Sequence, residues 1–312
     1  MTALVRQRLI VLVPTLLLAT LLVFSLLQLV PGDPAIAILG ERASAEQLAE
    51  LREQLGLNDP ILVQYWQWLI GVVQGDLGES LYTGEAVVEA IARTLPVTFQ
   101  LMVAGLILSL LIGVPLGVAA ARRANSATDA MITGVSTVGV AVPDFWLGLI
   151  LVSVFSLTLG WFPATGFVGV ATDPLVAVQY LILPAVALGS GGAALVARQL
   201  RSALIDSLNA DFVRTHRAKG LRTRQIVWQH ALKNAALPLA TVTGLLVNSF
   251  LGATVVIETV FGIPGLGSLV VGATLQRDFP VIQGVVLTMV VLVVVTNLLV
   301  DISYRLIDPR TR

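Results

Sequence analysis

Cysteine is absent from the 312 residues, so no disulfide framework, thiolate chemistry or Cys-based metal site can be built. Charge is scarce as well. Asp, Glu, Lys and Arg make up 12% of the chain, about half the share of a soluble domain. Histidine is reduced to His216 and His230, fourteen positions apart, which is not a ligand spacing and reads as two surface histidines; no metal site is expected. No Gly-Lys dipeptide occurs, which excludes a P-loop and ATP binding by that means. With no nucleophile or metal constellation either, the chain reads as a non-catalytic protein that moves or holds something. No nucleic-acid partner is expected.

What is abundant is apolar sequence. Hydrophobic residues make up 56% of the chain and the mean hydropathy is +0.89. Runs of about twenty apolar residues recur, each long enough to cross a bilayer. They are continuous rather than alternating, which excludes a membrane β-barrel. The fold class is therefore an all-α polytopic membrane protein in contact with lipid. Six spans are expected, over about 9–30, 96–121, 130–159, 176–204, 235–260 and 280–302. The first shows no cleavage site and reads as an uncleaved helix. Pro96 is expected to start the second.

Net charge is zero, but the charges are segregated. Fifteen of the nineteen Lys and Arg residues fall at one side of this arrangement, including Arg6, Arg8, Arg122, Arg123 and eight between Arg198 and Lys233. The positive-inside bias places both termini in the cytoplasm. Residues 31–95 then form an extracytoplasmic helical segment with ten acids against Arg42, Arg52 and Arg93. Within it Ser44-Ala-Glu-Gln47 is a capping box that opens a short helix, and Gly56 closes it. Tyr65, Trp66 and Trp68 suit a segment at the membrane interface. The domains expected are thus an N-terminal transmembrane helix (1–30), this outer segment (31–95) and a five-helix core (96–312) with a cytoplasmic loop at about 205–234.

That loop is the long polar interruption of the second half. Arg214, Arg217, Lys219, Arg222, Arg224 and Lys233 crowd into it around Gly220, a residue suited to turning one short helix into the next. A bare topology anchor accounts for the charge. A docking surface also accounts for the glycine and for the apolar knobs Phe212, Val213, Leu221, Ile226, Val227 and Trp228. Contact is expected through Arg214, Arg217, Ala218, Lys219, Gly220, Leu221 and Arg224.

Three places inside the apolar runs carry polar or broken sequence. Asp144, after Pro143, faces either a cavity or the outer interface. Gly189, Ser190, Gly191 and Gly192 mark either a helix break beside a solute route or a site of close helix packing. Glu258 is either a gate residue or a loop carboxylate bonded to amides of the Gly-rich turn that follows it.

Several stretches resemble one family. Asp211-Phe-Val-Arg-Thr, Ala218-Lys-Gly-Leu221 and Leu237-Pro238 are similar to the cytoplasmic coupling loop of ABC-importer permeases of the dipeptide/oligopeptide/nickel branch, although Arg214-Thr-His216 replaces the general Glu-Ala-Ala. Pro31-Gly-Asp-Pro34, Leu55-Gly-Leu-Asn-Asp-Pro60, Gly75-Asp-Leu-Gly-Glu-Ser80, Pro143-Asp-Phe-Trp146, Glu258 to Gly267, Arg277-Asp-Phe-Pro280 and Asp308-Pro-Arg310 carry the likeness along nearly the whole chain. The resemblance implies a type I importer permease in a bacterial cytoplasmic membrane. It implies a second permease subunit, usually a different chain, two ATPase subunits that bind ATP and Mg, and an extracytoplasmic solute-binding protein. It implies alternating access for peptides, nickel complexes, glutathione or oligosaccharides. A secondary transporter or a membrane scaffold are the other classes; the first should show internal repeats and several intramembrane carboxylates, and none beyond Asp144 and Asp301 are found.

Overall fold

The computed structural model describes residues 13–25, 34–40, 43–54 and 56–307. Readings that rest on Arg6, Arg8, Pro31 to Asp33, Arg42, Leu55 and Asp308 to Arg312, or on the side chains of Asp301, Tyr304 and Arg305, lie outside the described residues. Among those described there is no strand, only an isolated bridge between Glu79 and Ala86. In chain order the helices are α1 (Val13–Ser25), α2 (Pro34–Leu39), α3 (Ala45–Gln54), α4 (Ile61–Gln74), α5 (Val87–Arg122), α6 (Ala127–Ala141), α7 (Asp144–Leu151, continued by a π-helical turn, Val152–Thr158) and α8 (Pro174–Asn209). Then follow α9 (Asp211–Ala218), α10 (Thr223–Gln225), a π-helical turn (Ile226–Ala231), α11 (Leu232–Asn234), α12 (Ala236–Phe261), α13 (Leu266–Gln276) and α14 (Phe279–Ile307). Helices α5, α8, α12 and the Phe279–Val300 part of α14 are long and apolar enough to cross a membrane. The pair α6 and α7 makes a fifth span if counted as one, bent by 96°.

The chain divides into two compact units. One contains the described residues through Val97 together with Pro264–Val294, so the polar segment that follows α1 shares its unit with residues from late in the chain. In it the capping box forms as read: Ser44 N donates to Gln47 Oε1 at 3.0 Å and Gln47 N to Ser44 Oγ at 3.2 Å. The aromatic cluster packs on α1. The Tyr65 hydroxyl lies 3.0 Å from Thr20 Oγ1, and the Phe24 ring stands edge-on to Tyr65 at 5.6 Å. Buried Asp278 accepts from Ser80 Oγ at 2.5 Å and from Leu81 N at 3.2 Å, which ties the 75–86 loop to the start of α14.

Pro96 does not start a helix. α5 begins nine residues earlier, because Val87 and Ile91 bury one face against Leu266, Val281 and Val285. That packing outweighs the one backbone bond a helix-interior proline removes.

The second unit, Thr98–Ile263 with Val295–Arg312, is assembled on α8. α8 runs unbroken through Pro184 and Gly189–Gly192, so of the two readings of these glycines the helix break is absent. Gly189 and Gly192 serve close packing. A Cβ on Gly189 would meet the Gly105 carbonyl oxygen at 2.6 Å, and one on Gly192 would strike Ser109 Oγ. Across the same seam, Gly113 and Gly117 of α5 would meet the carbonyls of Ala193 and Ala197 at 2.6 and 2.8 Å. Lipid removes the hydrophobic drive between helices, and such backbone approach is what remains to hold them. Ser109 Oγ completes the seam by donating to the carbonyls of Gly105 and Gly189, both at 2.9 Å.

α12 and α14 meet where Gly244 leaves room for Val300 and Asn248 Nδ2 donates to Asn297 Oδ1 at 2.7 Å. At one end of the unit Val118, Ala121, Leu200, Leu204, Val227, Ala231 and Ala235 form an apolar core.

Candidate functional site

The polar loop folds as a helical hairpin. Asp211 opens α9, and α9 ends at Lys219 and Gly220. Gly220 has φ +80°, a left-handed conformation that a side chain resists. Its amide donates to the Arg217 carbonyl at 2.9 Å, and the Leu221 amide donates to His216 at 3.2 Å. The return arm starts at Thr223 and widens into the π-helical turn.

Arg214, Arg217, Ala218, Lys219, Gly220 and Arg224 are exposed and Leu221 is half-buried, so the expected contact residues do share one accessible apex. Arg214 reaches Asp211 at 3.5 Å across fully solvated side chains, a pair worth little. The apolar knobs need correction. Val213, Ile226 and Val227 are buried and hold the hairpin to its base, with Val227 in the core beside Leu200 and Leu204. Helical periodicity turns these residues inward and leaves Trp228 as the exposed aromatic. A cavity of about 360 Å³ opens beside them, lined by Asp206, Ser207, Phe212, Asn234 and Pro238 among others.

His216 and His230 stack at 4.0 Å between ring centroids, with 22° between planes. The reading as two separate surface histidines is thus replaced by a pair that bridges the arms. Burial, then His230 and Lys219, hold the His216 imidazole below its ordinary value. No local pattern announces this pair, because the Gly220 turn is what brings the rings together.

Among the polar residues within the spans, some converge. Asp144 is the first residue of α7, after Pro143 at the 96° break. It is half-buried, and its Oδ1 lies 3.5 Å from the Cβ position of Gly191, so Asp144 and Gly191 form one place. Ser190 is half-buried next to it and donates to Ala187 at 3.2 Å, whereas Gly189 and Gly192 turn into packing seams.

Glu258 lies elsewhere. It is not in the Gly-rich turn but inside the last turn of α12, fully buried, accepting from Thr98 Oγ1 at 2.6 Å. The helix extends to Phe261 because Gly262, with φ +59°, caps it. Thr98 and Ser109 are eleven positions apart on α5, about 16 Å along the axis, which separates Glu258 from the glycine seam.

One charged pair escaped sequence reading. Asp129 in the first turn of α6 is buried and takes Arg201 of α8 in a two-point fork, Nε to Oδ1 and Nη2 to Oδ2 at 2.6 Å. Asp129 is also three residues after the cap Ser126, whose Oγ accepts its amide at 3.3 Å. That local role, and the place of Arg201 among eight basic residues between Arg198 and Lys233, conceal the pairing.

Residues 113–312 match the family described as binding-protein-dependent transport system inner membrane component, and residues 1–102 match its N-terminal companion. The chain is 42% identical over 313 residues to the oligopeptide transport system permease protein AppB of Bacillus subtilis (strain 168), covering 99% of each. It is 38% identical over 333 residues to the dipeptide transport system permease protein DppB of Alkalihalophilus pseudofirmus, covering 100% of each. In fold it is similar to a chain of the inward-facing MetNI methionine ABC transporter, with TM-score 0.58 and 19% identity over 70% of this chain and 96% of that one. With the family matched over residues 113–312, a similar helical fold and identity along its whole length, the chain belongs to the binding-protein-dependent transport system inner membrane component family.

Proposed function

We propose that the chain is the permease subunit of an ATP-driven importer of peptides in a bacterial cytoplasmic membrane. The observation that carries this reading is the exposed basic hairpin: a rigid apex, turned at Gly220, whose apolar residues anchor it to α5 and α8 rather than burying the charges. Its charges fix register on an acidic or mixed partner surface, and the partner is an ATPase subunit. The names of the relatives supply the solute class.

Two permeases, the second a homologous chain, line one path. Two ATPases bind ATP and Mg, close, and drive the hairpins. A solute-binding protein delivers peptide from outside. Both termini lie in the cytoplasm, with six spans. Arg214, Arg217, Lys219, Leu221 and Arg224 make the ATPase contact, and Asp144 with Ser190 and Gly191 flanks the solute path at the helix break. This subunit hydrolyses nothing itself.

Gentle affinity purification from native membranes tests the reading. A homologous permease and ATPase subunits should accompany the tagged chain in fixed stoichiometry, with measurable ATP hydrolysis. Isolation as a homo-oligomer without ATPase activity would overturn it in favour of a secondary transporter or scaffold.

A further inference from the structure

Asp129 and Arg201 belong neither to the exposed apex of the hairpin nor to the Asp144 break, yet they stand between the two. Arg201 lies ten residues before Asp211, where the hairpin begins. Asp129 lies in the first turn of α6, and α6 ends at the Val142–Pro143 break. We infer that this ion pair locks α6 to α8 as one lever, so that a displacement of the hairpin reaches the Val142–Pro143 break undiminished. The inference rests on the importer reading above.

Three observations support it. The fork has two points of contact, which fix an angle as well as a distance. Every face of the carboxylate is engaged: Arg201 takes both oxygens, the Asn125 amide donates to Oδ2 at 2.9 Å, and Thr133 Oγ1 lies 3.4 Å from Oδ1. The carboxylate is buried and its partner largely so, so solvent and salt do not loosen the pair as they would a surface bridge. A second tie lies farther along. Asp129, Ile132 and Ser136 bury one face of α6, and Gly139 continues that face, its Cβ position 3.3 Å from the Ala194 methyl. Two helices fixed at two separated points cannot pivot on each other. The compliant point in α6–α7 is then the break itself, where Pro143 lacks an amide proton and Val142 caps back to Val138 at 3.1 Å. Asp129 and Arg201 are positioning residues for the transport stroke, and they touch no solute.

The test uses the assembled importer in lipid discs. The chain has no cysteine, so Ala141→Cys and Thr223→Cys add the labelling sites of this subunit at the end of α6 and on the hairpin, and the assembled complex without them, labelled in parallel, gives the background from its other chains. Both positions are exposed. The lever predicts one narrow label-to-label distance that stays the same with and without ATP plus vanadate. In the variant carrying Asp129→Asn with Arg201→Gln, that single distance is lost to a broad distribution under ATP plus vanadate. This double change leaves no lone buried charge, so the fold survives it. Arg201→Lys, which keeps the charge but has no fork, gives an intermediate width. A wild-type distance that shifts with nucleotide overturns the inference, as does a double variant whose distribution superimposes on the wild type. Failure of ATPase subunits to accompany the chain is seen before any label is read, and it would count against the importer reading instead.

Discussion

A side chain at position 220 would have room and a poor backbone. Nothing lies within 4 Å of the Cβ site, but φ is +80°, and a left-handed residue with a Cβ costs about 1–2 kcal/mol. Gly220→Val should leave the protein in the membrane while lowering ATPase retention on purification, with Gly220→Asn milder; equal retention by all three would remove the hairpin from the docking role. His216 supplies a pH dependence. Its folded value lies below the ordinary 6.5 because of burial and the neighbouring charges of His230 and Lys219. Its contribution to hairpin stability is therefore whole above 6.5 and is lost as pH falls through the folded value, since the unfolded arm binds the proton first. Protection of the amides in 211–234, taken relative to their intrinsic exchange rates at each pH, should fall on acidification, and His216→Phe, which keeps a ring in the stack, should flatten that dependence. Single residues were legible in the sequence where their signal is local. The Ser44–Gln47 box and the Gly220 turn involve neighbours a few positions apart. The His216–His230 stack and the Asp129–Arg201 fork are made by the folded chain, fourteen and seventy-two positions apart, and no local pattern encodes them.

Helix pairs respond to added volume according to where a glycine lies. Gly113→Ala and Gly189→Ala each drive a methyl against a carbonyl at 2.6 Å, and overpacking of that kind costs about 1–3 kcal/mol. Gly134→Ala, on α6 with nothing within 4 Å, should be neutral or gain up to about 1 kcal/mol from helix propensity. Thermal unfolding of the detergent-solubilised protein checks this: the first two should melt earlier and the third should not. The small-residue face of Gly113 and Gly117 could be read from spacing alone. The start of α5 could not, because Pro96 gives a strong local signal that the burial of Val87 and Ile91 overrides. Of the two readings of Glu258, the loop carboxylate fails for a similar reason, since the glycines that follow it end the helix only at Gly262.

The molecule as a whole is inverted relative to a soluble protein: Thr98, Ser109, Thr254 and Glu258 are buried, while Phe99, Ile107 and Leu111 face outward along α5. Ile107→Arg should therefore hurt membrane integration by about 2.5–3.5 kcal/mol on an insertion scale, seen as a loss of protein from washed membranes, with Ile107→Leu unaffected. The expected count of six spans came from apolar length, which reads a straight helix well and a sharply bent one poorly. α6 has 15 residues, about 22 Å of helix against about 30 Å of hydrocarbon, and Asp144–Thr158 is no longer. Neither arm of the 96° bend can cross the bilayer unaided. During synthesis this region should gain its partner only when α8 emerges, bringing Arg201 to Asp129, Ala194 to Gly139 and Ala187 to Gly148. A nascent chain stalled before Pro174 should leave 127–158 open to protease, as expected of a permease completed in the membrane out of the order in which it is translated; equal protection before and after α8 emerges would count against it.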